Sequence, residues 1–112
     1  MTDLGDWAAV YAFASGLPGA EASTYYGGPA VMAAQSGRPV VTPGREADSF
    51  CLHIDNDHKA MLFDLDPARF WETPHYSGYP ALLIRYGPGD GVTEWIERAL
   101  ELAALRKPAR KR

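Results

Sequence analysis

The residues best equipped for chemistry in this sequence are His75, Tyr76 and Tyr79, held between Pro74 and Pro80 with Gly78 among them. Proline fixes φ and glycine permits a tight turn, so the loop can carry both tyrosines and the histidine to one side. The group offers ring faces, hydroxyls and a side chain that titrates near neutral pH, a combination suited to a planar or anionic ligand. Tyr25 and Tyr26, just before Gly27-Gly28-Pro29, are placed to complete the same pocket, and Arg69 and Arg85 to hold an anion there through bidentate contacts. Each feature has a structural alternative. The loop rings can cover the end of a sheet, adjacent tyrosines on a strand can split between core and solvent, and the arginines can pair with Asp64, Asp66 or Glu72.

Other constellations are weaker. His53, His58 and His75 with Asp55 and Asp57 do not present an i,i+4 pair on one helix face, so their spacing does not describe a metal site. Cys51 and His53 share a strand face, but a lone strand cysteine ordinarily serves as a small buried hydrophobe. There is no phosphate loop, nucleophile elbow or His-x-x-x-His pattern, so nothing supports an enzyme and no cofactor is implied.

The elements that must position these groups follow from periodicity. Leu4, Trp7, Val10, Tyr11 and Ala14 form one helical stripe capped by Thr2 or Asp3 and stopped by Leu17-Pro18-Gly19. From Ala22 to Thr42, short Val-, Thr- and Tyr-rich runs broken by Gly27-Gly28-Pro29 and Ser36-Gly37-Arg38-Pro39 predict strands joined by tight turns. Phe50, Leu52 and Ile54 alternate with Cys51 and His53, as in a strand. Asp55 or Asn56 caps a helix through Lys59, Met61 and Leu62, and Asp66-Pro67 opens a shorter one. Trp71 to Thr73 reads as extended and Ala81 to Tyr86 as a buried strand before Gly87-Pro88-Gly89. The last helix, about Val92 to Arg106, lines up Val92, Trp95, Ile96, Ala99, Leu102 and Ala103 against the sheet, with Glu94 and Arg98 paired outside. The expected class is α+β in two layers, an antiparallel sheet of about five strands packed by helices.

At 112 residues, 46% apolar and 22% charged, the chain has the size and composition of one domain with one core. A single cysteine precludes an internal disulfide, and no run of about 20 apolar residues is present to cross a bilayer. With Asp3 and Asp6 in place of a basic leader, the expected location is the cytoplasm. The net charge of −3 conceals an asymmetry: Arg106, Lys107, Arg110, Lys111 and Arg112 are five of the 11 basic residues. Residues 1–105 therefore hold six basic against 14 acidic side chains, a net of −8 and a poor electrostatic match for phosphates. The expected division is a domain over 1–107 and a mobile basic tail over 108–112, beginning at Pro108.

Four segments together resemble the MmcQ/YjbR family of small bacterial proteins, often labelled as DNA-binding. They are Leu17-Pro18-Gly19-Ala20-Glu21, Tyr26-Gly27-Gly28-Pro29-Ala30, Asp66-Pro67-Ala68-Arg69-Phe70 and Thr73-Pro74-His75-Tyr76-Ser77-Gly78-Tyr79-Pro80, in family order over nearly the whole chain. The resemblance implies the order helix, three strands, helices, two strands, helix, with a sheet like that of secretion chaperones. It further implies a non-catalytic binding module that contacts DNA, here through Arg38, Arg106, Lys107, Arg110, Lys111 and Arg112. Where family members carry Phe-Lys and then Gly-Lys across the first hairpin, this chain has Val31, Met32, Gly37 and Arg38, which keeps one of the two cations. The alternatives are a small-molecule or anion-binding protein that uses the Tyr/His/Arg loop, and a protein-interaction domain that uses a strand edge or helix. The assembly state implied is a monomer or weak dimer.

Overall fold

A computed structural model describes residues 2–108. In chain order the elements are β1 (Asp3–Leu4), α1 (Trp7–Ser15), β2 (Ala20–Tyr25), β3 (Gly28–Ala33), β4 (Pro39–Pro43), β5 (Ser49–His53), α2 (Asn56–Leu65), β6 (Phe70–Trp71), a 3-10 turn (Pro74–Tyr76), β7 (Ala81–Arg85), β8 (Gly87–Pro88) and α3 (Thr93–Ala104). The class is α+β, as expected. Six strands form an antiparallel sheet in the order β2-β3-β4-β5-β7-β6, and β1 pairs with β8 in a separate two-stranded ribbon.

Alternation along β5 divides the sheet into two unlike faces. Phe50 and Leu52 pair across the strands with Ile84 and Leu82, and with Phe70 and Val41 beyond them. These residues join Val10 and Ala14 of α1, Leu62 of α2, and Ile96, Ala99, Leu100 and Ala103 of α3 in the main core. The opposite row runs Thr42, Cys51, Leu83, Trp71. On that side Cys51, Ala81 and Leu83 pack with Tyr76, so the aromatic loop covers part of a face that carries no helix.

Several local expectations need correction. The first helix begins at Trp7 behind an Asp6 cap, whose carboxylate accepts from the Ala9 N–H at 2.8 Å, because Leu4 is committed to β1. After Asp66 the chain makes a turn that leads directly into β6, so no helix follows Pro67. In α3, Trp95 packs against the main core but stays half-buried, edge-on to His58 at 6.2 Å, and Leu100 joins the buried stripe. Arg98 pairs with Glu101 at 3.2 Å in place of Glu94. The sheet has six strands because Phe70–Trp71 adds an edge to β7. Residues 109–112 of the expected mobile tail lie outside the described residues.

Candidate functional site

The helix-free face holds a cavity of about 650 Å³, and Tyr25, Tyr26, His75, Tyr76 and Tyr79 all line it. These five predicted residues come together from two segments far apart in sequence. The first is the β2–β3 hairpin, whose two-residue connection is Tyr26-Gly27, with φ of 51° and 80°. Positive φ at both central positions is the pattern of a type I′ turn, which matches the twist of paired strands and favours Asn-Gly. Tyrosine is an unusual occupant: it is the one non-glycine residue at positive φ among the described residues, and its side chain is 89% exposed. Tyr25 lies edge-on to Tyr26 at 4.6 Å and to His53 at 5.8 Å.

The second segment is the 3-10 turn and the residues after it. The Tyr76 N–H donates to the Thr73 carbonyl at 2.9 Å, Gly78 takes φ 81°, and the Tyr79 N–H donates to the Tyr76 carbonyl at 3.0 Å. Tyr76 is buried, whereas His75 and Tyr79 are exposed on either side of it. His75 stands perpendicular to the Tyr76 ring at 4.9 Å and lies 6.5 Å from Tyr79. The turn is pinned from behind by Lys59 of α2, which is buried and donates to the carbonyls of Tyr76 (2.9 Å) and Tyr79 (2.8 Å). Lys59 Nζ also lies 2.7 Å from Glu72 Oε1, an ion pair that is too poorly aligned to satisfy that oxygen as a hydrogen bond. Burial of an unpaired ammonium is costly, and these three oxygens are what allow a lysine in this position.

The floor of the cavity comes from Thr42, Cys51 and His53. Thr42 Oγ1 and His53 Nε2 are hydrogen-bonded at 2.9 Å, with the Cys51 sulfur 3.7 Å from the same nitrogen. Burial, followed by the positive charge of Arg106, lowers the His53 pKa to about 4, so the imidazole is neutral at pH 7. Burial pushes the Cys51 thiol up to about 11, which removes it as a nucleophile. Burial raises the phenol of Tyr25 above its ordinary value, and the neighbouring Tyr26 adds to the effect. Burial also raises that of Tyr76, with Cys51 adding to it. All the groups on the floor are thus uncharged.

The cations at the cavity are not the expected pair. Arg69 donates to the carbonyls of Arg85 and Pro88, and Arg85 pairs with Asp48 at 2.6 Å while its guanidinium lies 4.3 Å from the centre of the Trp71 ring. Both arginines tie β6, β7 and β8 together, outside the cavity. Their places are taken by Arg38, Arg45 and Arg106. Arg38 donates from Nε to the Lys107 carbonyl at 2.9 Å, which holds the end of α3 against the β3–β4 turn, and Ser36 reinforces the contact with a 2.8 Å bond to the Ala103 carbonyl. The Arg45 N–H donates to Tyr76 Oη at 3.3 Å. Among the described residues no carboxylate lines the cavity. Arg38 and Arg106, assigned in sequence to DNA contact, therefore line this site, and Lys107 meets it through its backbone carbonyl bonded to Arg38, whereas Arg110, Lys111 and Arg112 lie outside the described residues.

Among the described residues no three His, Cys, Asp or Glu side chains gather as metal ligands, and no helix is long and apolar enough to cross a membrane. No family model, curated protein or solved structure matches the chain.

Proposed function

We propose that the protein is a non-catalytic binding module for a small planar anion, held in the cleft of tyrosines and arginines. The observation that carries this reading is the pairing of aromatic walls with three guanidinium groups in a cavity of about 650 Å³ that no carboxylate among the described residues lines. Ring faces accept a planar group by stacking, and arginine forks hold carboxylate or phosphate oxygens through charge-assisted hydrogen bonds. With His53 neutral and Cys51 a thiol, the floor supplies polarity without a nucleophile or a poised general acid, which favours binding over turnover.

Calorimetric titration with phenyl phosphate tests the reading. Saturable one-to-one binding is expected. Arg45→Ala and Tyr79→Ala, both at exposed positions, should each weaken it about tenfold, since a hydrogen bond to a charged group contributes about 1.5–3 kcal/mol. Undetectable binding at millimolar ligand, or affinity equal to the parent's in both variants, would contradict it.

A second reading is DNA binding of the MmcQ/YjbR type. It is favoured by Arg38 and Arg106 lining one cavity, with Arg38 bonded to the Lys107 backbone carbonyl. The net charge of −8 over residues 1–105 opposes it. Affinity for duplex DNA should fall steeply with salt if phosphate contacts carry it. Undetectable binding at low salt removes this reading.

A further inference from the structure

The cleft does not end at the tyrosines. Pro39, His53, Pro80 and Arg106 also line a second cavity, of about 410 Å³. The remainder of its lining is Ile54, Ala99, Leu102 and Ala103, with Asp55 and Asn56 from the start of α2. The two spaces therefore share a wall made of a neutral imidazole, two prolines and one guanidinium.

Their chemistry differs. The first carries three arginines and no carboxylate among its lining residues. The second carries a carboxylate, Asp55, which accepts from the His58 N–H and ring Nδ1, both at 2.8 Å. Partial burial acts to raise the Asp55 pKa, but these bonds from His58 outweigh it and hold the group below its ordinary value, so it stays ionised. A ligand anion is thus attracted to the first space and repelled from the far end of the second, whose other walls are largely aliphatic.

We infer that the site takes an elongated, two-part ligand: an aromatic anion seated among the tyrosines and arginines, joined to a neutral apolar arm that passes Arg106 and His53 into the second cavity. This rests on the binding reading above and adds the shape and polarity of the ligand. Burial of the arm removes methylene groups from water at about 0.8 kcal/mol each, so a longer arm should bind more tightly until the cavity is filled.

Two monoanionic probes isolate the arm, methyl phenyl phosphate and hexyl phenyl phosphate, titrated calorimetrically into the full chain. The hexyl ester is expected to bind at least about tenfold more tightly than the methyl ester. Asn56→Trp, an exposed position that lines only the second cavity, should abolish most of that gain and leave the affinity for the methyl ester unchanged. A melting curve like that of the parent would show that the variant is folded. Equal affinity for the two esters in the parent protein overturns the two-part ligand while leaving the binding reading intact, and so does a gain that survives Asn56→Trp. Failure of phenyl phosphate and of both esters to bind overturns the binding reading itself.

Discussion

Tyr26 occupies a backbone conformation that costs a bulky L-residue roughly 1–2 kcal/mol, and it exposes nearly all of its ring at the rim of the cleft. The only return visible in packing among the described residues is the edge contact with Tyr25, so binding is where a larger return would lie. Tyr26→Asn, which installs the preferred Asn-Gly turn, is expected to raise stability by about 1 kcal/mol in urea denaturation and to weaken phenyl phosphate binding. Unchanged binding in the stabilised variant would reduce Tyr26 to a tolerated accident. His53 makes a second prediction at this scale. Its folded pKa of about 4 lies below the unfolded value near 6.5, so the unfolded chain takes up a proton first as pH falls. The neutral imidazole's contribution is therefore intact above pH about 6.5 and is lost progressively as pH drops toward 4, by at most about 3 kcal/mol. Denaturation midpoints measured at pH 7 and pH 4.5 should differ less in His53→Gln than in the parent. An equal loss in both would refute the assignment. The aromatic half of the site was legible in the sequence because Pro74, Gly78 and Pro80 fix the loop locally. The basic half was not, since the choice of Arg38, Arg45 and Arg106 over Arg69 and Arg85 depends on how β3, β4 and α3 meet, and no local pattern encodes that.

Among the elements, α2 matters most to the site because its Lys59 holds the backbone of the aromatic turn. Lys59→Ala leaves a buried and a part-buried carbonyl and the Glu72 oxygen without their cation and should cost about 3–5 kcal/mol, as is usual when one partner of a buried pair is removed. Lys59→Met combined with Glu72→Gln should cost less, because the charge is removed from both sides. A cost below about 1 kcal/mol for Lys59→Ala in equilibrium unfolding would show that the turn holds without α2. The start of α2 and the main stripe of α3 were readable from a capping aspartate and a 3.6-residue period. The buried lysine was not, because lysine reads as solvated unless its acceptors, supplied here by a turn 17 and 20 residues later, are known. Two further misreadings share a cause. Leu4 fits the helical stripe of α1 but pairs with Gly87, and Asp66-Pro67 fits a helix start but turns into β6, because in both places a strand partner distant in sequence outcompetes a local signal.

At the scale of the molecule, the sheet has one face sealed by helices and one left for the two aromatic segments to wall off, which is why the cavity opens on the helix-free side. The charge distribution acts in the same direction: an acidic body repels polyanions at a distance, while the three arginines favour a small anion that can enter the cleft. Chemical-shift mapping of the backbone amides during a phenyl phosphate titration tests this most directly. Saturable shifts are expected, centred on Tyr25, Tyr26, Arg45, His53, Tyr76 and Tyr79, with the outer face of α1 silent. Shifts absent at saturating ligand, or centred on Arg69 and Arg85 across the sheet edge, would contradict it.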